Sequence, residues 1–302
     1  MVYPELDTDG VPRGQLVLDD LVALLDLEQL EENLFRGVSP VISPVRVFGG
    51  QVAAQALVAM GRTVPSDRRV HSLHGYFIRP GDPRVPIVYT ADRSRDGRSF
   101  TTRRVVAIQH GQPIFTMSGS FQVDEPGIDH ATPMPLAIPD PETLPTYAER
   151  LAPLRDTFRA RMDFADTPRA FDVRYVTEPS WAASRPAVPD PTARTQVWFK
   201  ADGELPDDDL LHVCLLAYLS DLILLDGVLV KHGMSPFAER VQMASLDHAM
   251  WFHRPIRVDQ WMLYDITSPS ASGARGLGTG SFFAADGRLL ATVVQEGLIR
   301  LR

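Results

Sequence analysis

The chain has a single cysteine, Cys214, among 302 residues, so no disulfide can close within it and nothing favours an oxidising compartment. Lysine is nearly as scarce: Lys200 and Lys231 are the only two, and every other basic residue is arginine. With 30 basic against 38 acidic residues the net charge is -8. That argues against a nucleic acid or an anionic membrane as partner, because both call for a basic surface. Long apolar runs are also missing. The longest, Leu210 to Val230, is broken by Ser220, Asp221 and Asp226 and does not read as a membrane span. Met1 to Asp7 has neither the basic nor the apolar region of a secretory leader, so the expected compartment is the cytoplasm.

Several catalytic signatures are absent. There is no Gly-x-Ser-x-Gly elbow, which excludes the usual α/β-hydrolase nucleophile. Gly276, Gly278 and Gly280 miss a dinucleotide fingerprint, since Ser281 and Phe283 stand where glycine is needed; a strand passing close to a helix or ligand explains them better. His71, His74, His248 and His253 have no cysteine or carboxylate at zinc-ligand spacing and read as core or surface histidines. Cys214 sits in an apolar run with no neighbouring base and reads as inert.

What the chain does contain is a repeat. Phe77-Ile78-Arg79-Pro80 returns as Phe252-His253-Arg254-Pro255, each preceded by a Ser-Leu pair and followed by extended segments with turn signals. The period is far too long for a solenoid and indicates a duplicated domain. The expected division is 14–123 for the first repeat, 124–168 for a connector and 169–302 for the second repeat. In the first half, Leu18–Leu34 has helical leucine spacing. Gly49-Gly50 opens a second helix, Gln51–Met60, apolar on almost every face and so expected to be buried. Strands are expected at Val70–Ile78, Val85–Asp92, Phe100–Ile108 and Ile114–Gln122, with turns at Asp96-Gly97 and His110-Gly111. Twelve of the 25 prolines lie between Pro126 and Pro191, marking a connector, with a helix expected over Thr146–Phe164. The second half offers strands at Phe171–Val176 and Thr195–Lys200, then a helix from Leu210 to about Leu225 behind the acids Asp207–Asp209. Strands follow at Met243–Phe252, Trp261–Thr267, Gly273–Phe283 and Leu289–Leu298. Each half is then one buried helix followed by an antiparallel meander, an α+β arrangement in which a curved sheet wraps its helix.

Asp221 is the first candidate for chemistry. Its helix neighbours are almost all aliphatic, and burying an ionised carboxylate without partners costs at least several kcal/mol. The matching helix of the first half has no acid. The plain alternative is a helix-end residue facing solvent beside Asp226. Ser245 and Gln295 come next: a hydroxyl and an amide can hold water near a carboxylate without neutralising it. Singly, each is more often a satisfied core polar residue; their joint presence in the half that carries the lone helix acid raises them.

Several blocks together resemble the type II acyl-CoA thioesterase family, built as a double hotdog. They are Leu34-Phe35-Arg36-Gly37, Arg46-Val47-Phe48-Gly49-Gly50-Gln51, the run from His71 to Gly81, Arg95 to Phe100, Ser245 to Pro255, and Val294-Gln295-Glu296-Gly297. The resemblance spans nearly the whole chain. It implies two antiparallel sheets, each wrapping a long central helix, and a catalytic Asp221–Ser245–Gln295 set acting on an acyl-CoA substrate with no metal or organic cofactor. It implies a homodimer or larger assembly as well. Gly49 and Gly50, at a helix N-terminus, are the expected oxyanion donors, and Arg275 is the expected partner of a coenzyme A phosphate. A hotdog hydratase or dehydratase is disfavoured by the missing Gly-Asp-x-Asn-Pro-x-His signature. A non-catalytic acyl-CoA binding protein would be preferred if Asp221 lay exposed and far from Gln295.

Overall fold

The computed structural model describes residues 5–40, 46–154, 167–182, 189–236 and 241–302. A short strand pair, β1 (Glu5–Leu6) and β2 (Pro12–Arg13), leads into α1 (Gln15–Leu25). Val17, Leu18, Leu21 and Leu25 form the buried side of α1. The helix expected to reach Leu34 stops there, and the chain turns into a hairpin, β3 (Glu28–Glu31) and β4 (Leu34–Gly37). Helical leucine spacing continues through this stretch. Even so, β4 adds to the sheet beside β6 (Ile87–Asp96) and buries Phe35 completely, so strand pairing overrides local periodicity.

After α2 (Gly49–Gly61) come β5 (Arg68–Phe77), β6, β7 (Phe100–Gln109) and β8 (Gln112–Val123). In the connector, α3 (Tyr147–Leu151) starts at a capping box made by Thr146 and Glu149. It continues as one 3₁₀ turn to Leu154; the rest of the helix expected to Phe164 lies outside the described residues. The second half contains β9 (Phe171–Tyr175), β10 (Thr195–Ala201), α4 (Asp209–Ser220) and α5 (Asp226–Lys231). It ends with β11 (Val241–Ser245), β12 (Asp247–Phe252), β13 (Met262–Ser272), β14 (Arg275–Ala284) and β15 (Leu289–Leu301).

The sheet runs β3-β4-β6-β7-β8-β5-β12-β15-β14-β13-β10-β9, with β11 also beside β15. The two sheets expected are therefore continuous. Their seam is β5 against β12, with Leu73 opposite Met250. These are the strands that carry the repeated Phe-x-Arg-Pro motifs, so the duplication axis passes through the seam.

Both long helices lie on the same side of the sheet. From Gly50 to Met60 every residue of α2 is buried, and Leu57, Leu215 and Leu216 are fully enclosed. Burial of one such leucine contributes about 1.5–3 kcal/mol. The helices pack antiparallel: Gly50 lies against Tyr218, and Gly61 against Leu210. The apolar pattern of α4 runs on to about Leu225, but the helix ends at Ser220. The Tyr264 hydroxyl donates to the Ser220 carbonyl at 3.0 Å, satisfying an acceptor that helix ends leave open, and Asp221 becomes the C-cap. Among the described residues no helix is long and apolar enough to cross a membrane.

Candidate active site

Where α4 ends beside the start of α2, three side chains from the second half meet. Gln295 Nε2 donates to Asp221 Oδ1 at 2.7 Å, and Ser245 Oγ donates to the same oxygen at 3.2 Å. The backbone N–H of Gly50 donates to the Asp221 carboxylate as well. Asp221 is neither solvent-facing nor an orphan. The residue as a whole is partly exposed, while its carboxyl group is enclosed, and burial pushes its pKa above the usual range against the opposing pull of His248, Gln295, Ser245 and the Gly50 amide. Asp226, the other acid of this stretch, begins α5 and is buried elsewhere, with its pKa raised to about 7 by burial.

The two glycines make room for this meeting. A Cβ on Gly49 would lie 2.6 Å from Asp221 Oδ2 and 3.0 Å from the Phe77 ring, and one on Gly50 would lie 2.4 Å from the Tyr218 carbonyl oxygen. The first half thus supplies the helix start and the Phe77 ring, and the second half supplies the acid, hydroxyl and amide. Arg275 is not brought to this place. Along β15, Gln295 is buried on the helix side and Glu296 points to the opposite face. Arg275 is half exposed and pairs with Glu296 at 2.9 Å, so alternation along the strand sends it away from the acid.

Two polar residues that the sequence alone does not single out also belong here. His248 Nδ1 is 3.2 Å from Gln295 Oε1, and its Nε2 is 2.8 Å from Ser220 Oγ. Burial lowers the His248 pKa, and Asp221 pulls it back up. Ser245 and His248 are three positions apart and would face opposite sides of a regular strand. A bulge at Leu246 brings both to the helix side: Ser245 is opposite Gly297, whereas Ala249 is opposite Val294.

The first half has the same bulge, with Val70 opposite Phe121 and Ser72 opposite Ser120. Matching the bulges sets Ser245 against Val70 and His248 against Leu73. Leu73 is opposite Gly119, which is therefore the counterpart of Gln295. Matching the first residues of α2 and α4 sets Ser220 against Met60 and Asp221 against Gly61. All five polar groups of the second half thus have apolar or glycine counterparts. In the first half the space over Gly119 is occupied by Met60, whose Sδ would lie 2.8 Å from a Cβ there, and the ladder partner of Gly119 is Arg103. Its buried guanidinium donates to Thr63 Oγ1 at 2.9 Å, Thr63 O at 2.9 Å and Asp96 at 2.6 Å. Comparing the two halves position by position is the signal that finds His248 and Ser220 from sequence, but it requires the bulge to be aligned.

Residues 170–298 match a family profile described as acyl-CoA thioesterase, and residues 39–122 match its N-terminal domain. The chain is 40% identical to acyl-CoA thioesterase 2 of Haemophilus influenzae, covering 94% of this chain and 98% of that one. It is 39% identical to human acyl-coenzyme A thioesterase 8, covering 97% and 92%. The crystal structure of acyl-CoA thioesterase II TesB2 from Mycobacterium marinum superposes with a TM-score of 0.75 at 46% identity, over 92% of this chain and 97% of that one. A hot dog fold protein of Alicyclobacillus acidocaldarius has the same fold at a TM-score of 0.74 and 21% identity, over 94% and 98%. With its double hotdog fold and relatives matched along almost their full length, the chain belongs to the acyl-CoA thioesterase family.

Proposed function

We propose that the chain hydrolyses acyl-CoA thioesters to a free fatty acid and coenzyme A, with Asp221 as the general base for a water molecule held by Ser245 and Gln295. The observation that carries this reading is the 2.7 Å contact between Gln295 Nε2 and the Asp221 carboxylate, which a non-catalytic binding protein does not need. Oδ1 is engaged by both side-chain donors, which leaves Oδ2, facing Gly49, to accept a proton. Gln295 keeps a second N–H, and Ser245 keeps oxygen lone pairs, with which to hold the water. A base whose pKa is raised accepts a proton more readily and is a better match to neutral pH.

In the reaction the water oxygen attacks the thioester carbon and gives its proton to Asp221. The carbonyl oxygen becomes an oxyanion beside the first turn of α2. Gly50 already donates to Asp221, so Gly49 is the first remaining donor for that charge. Collapse of the tetrahedral intermediate breaks the carbon–sulfur bond, and the proton on Asp221 passes to the departing thiolate. Thiol release from a panel of acyl-CoA esters of different chain length tests the assignment; no release from any of them would refute it.

Coenzyme A carries phosphates, which a net charge of -8 disfavours at long range, so local arginines must bind them. Beside Arg275, we assign this role to Arg46 and Arg302. Both line an open groove with Val241 and Met243, on the strand that ends at Ser245. Arg46→Ala is expected to raise KM for acyl-CoA about tenfold with little change in kcat, the pattern of lost uniform binding. Steady-state kinetics on a pantetheine thioester that lacks the nucleotide should show no such rise.

One site per chain is expected, because the first half has apolar or glycine residues in place of the polar set and Met60 fills the space over Gly119. Titration with a non-hydrolysable acyl-CoA analogue should saturate at one equivalent per chain. Two equivalents of equal affinity would mean that the first half keeps a working pocket.

A further inference from the structure

We propose that His248 is a positioning residue that fixes which end of the Gln295 carboxamide faces Asp221. The two ends of a carboxamide are nearly the same size, and only hydrogen bonding tells them apart. Turned over, Gln295 would set its oxygen against Asp221 Oδ1, acceptor to acceptor, and the N–H groups available to a water would be lost.

His248 prevents that turn. Its Nδ1 lies 3.2 Å from Gln295 Oε1, and an oxygen there can only accept, so Nδ1 carries a proton. Nε2 then accepts from the Ser220 hydroxyl at 2.8 Å. Every donor in the line points the same way, from Ser220 to His248, from His248 to Gln295, and from Gln295 to Asp221. The Ser220 hydroxyl also has the Ala217 carbonyl within 2.9 Å. It can therefore turn and accept from Nε2 if the ring becomes doubly protonated, and Nδ1 remains a donor in both states. The Nε2–H neutral tautomer is the one this arrangement rejects, since it would face Gln295 Oε1 with a lone pair.

The comparison between halves separates this role from plain packing. The counterpart of His248 is Leu73, fully buried, so leucine fits the same place in the fold where no amide needs orienting opposite it. The first half lost the pair together, having Leu73 opposite Gly119.

This inference rests on the reading of Asp221 and Gln295 as the water-activating pair, and the test keeps the two apart. His248→Leu should lower kcat by about 10- to 100-fold, the scale of a misplaced catalytic group, with KM unchanged because His248 lies behind Gln295. His248→Asn, whose amide N–H can replace Nδ1–H, should recover most of the loss. In a Gln295→Ala background, His248→Leu should have no further effect on kcat, because the group it orients is gone. Full activity of His248→Leu, or losses that add to that of Gln295→Ala, would overturn the positioning role. An Asn variant as inactive as Asp221→Asn would make His248 a base rather than an orienter. Normal turnover of Asp221→Asn would instead overturn the underlying reading of the site.

Discussion

Asp221→Asn is expected to lower kcat by about 10²-fold or more while the fold is retained. Asparagine keeps the size and one acceptor oxygen for Gln295 and Ser245 but cannot take a proton from water. Ser245→Ala and Gln295→Ala should each lower kcat too, and the losses should not add, since the three act on one proton transfer. The same substitution has an opposite effect on stability. Burial raises the Asp221 pKa in the folded state, so the folded chain holds this proton more tightly than the unfolded chain. The charged carboxylate then costs stability as pH rises from the unfolded value toward the folded one, and the cost persists at all higher pH. The Asn variant should therefore melt above the wild type at neutral pH, and the gap should vanish at a pH below the unfolded value. Activity follows the other side of this titration: kcat of the wild type should fall on acidification at a higher pH than an ordinary aspartate would give. Thermal unfolding and pH–rate profiles of the two proteins check all of this. A wild-type melting point above that of the Asn variant at neutral pH would contradict the buried-charge account.

Gly50→Ala should destabilise the protein by about 1–3 kcal/mol or more, the range of overpacked cores. In an ordinary helix interior this change stabilises by roughly 0.5–1 kcal/mol, so the sign is diagnostic. Here the added Cβ would lie 2.4 Å from the Tyr218 carbonyl oxygen and 2.5 Å from the Phe48 ring. The carbonyl belongs to the backbone of α4 and cannot swing aside as a side chain would. The helices must separate, and the Gly50 amide moves away from Asp221. Urea unfolding measures the first effect and kcat the second. A variant as stable as the wild type would show that the helices do not cross this closely.

The duplication, the buried helix of each half and Asp221 were legible because each is a contrast within the chain: a repeated tetrapeptide, a helix without a polar face, one acid among aliphatics. Other features were not. Leu27, Leu30 and Leu34 continue a helical spacing, yet they lie in or beside the β3–β4 hairpin, whose place is set by pairing with β6, a partner far along the chain. Ile223, Leu224 and Leu225 likewise extend the pattern of α4 past the point where Tyr264 and Asp221 end it. His248 reads as a core or surface histidine for want of zinc-ligand spacing; alternation along a regular strand would separate it from Ser245, and only the extra residue at Leu246 undoes that. Arg275 shows the reverse case. Proximity in sequence to a catalytic strand says nothing about which face a side chain takes, and strand register sends this one outward.

The apolar counterparts in the first half show what fusion makes possible. Two separate copies of a hotdog subunit must change together, so any substitution that strengthens one pocket by adding an awkward buried charge repeats the strain in the other. Joined in one polypeptide, the copies can drift apart. One keeps an acid held at an unfavourable ionisation, while its twin fills the matching space with the Met60 side chain. The quiet half then serves as ballast for the reactive one. Restoring the polar set to Gly61, Val70, Leu73 and Gly119 without also replacing Met60 would place the new amide against an occupied space, so a second working pocket cannot be regained by reversing those positions alone.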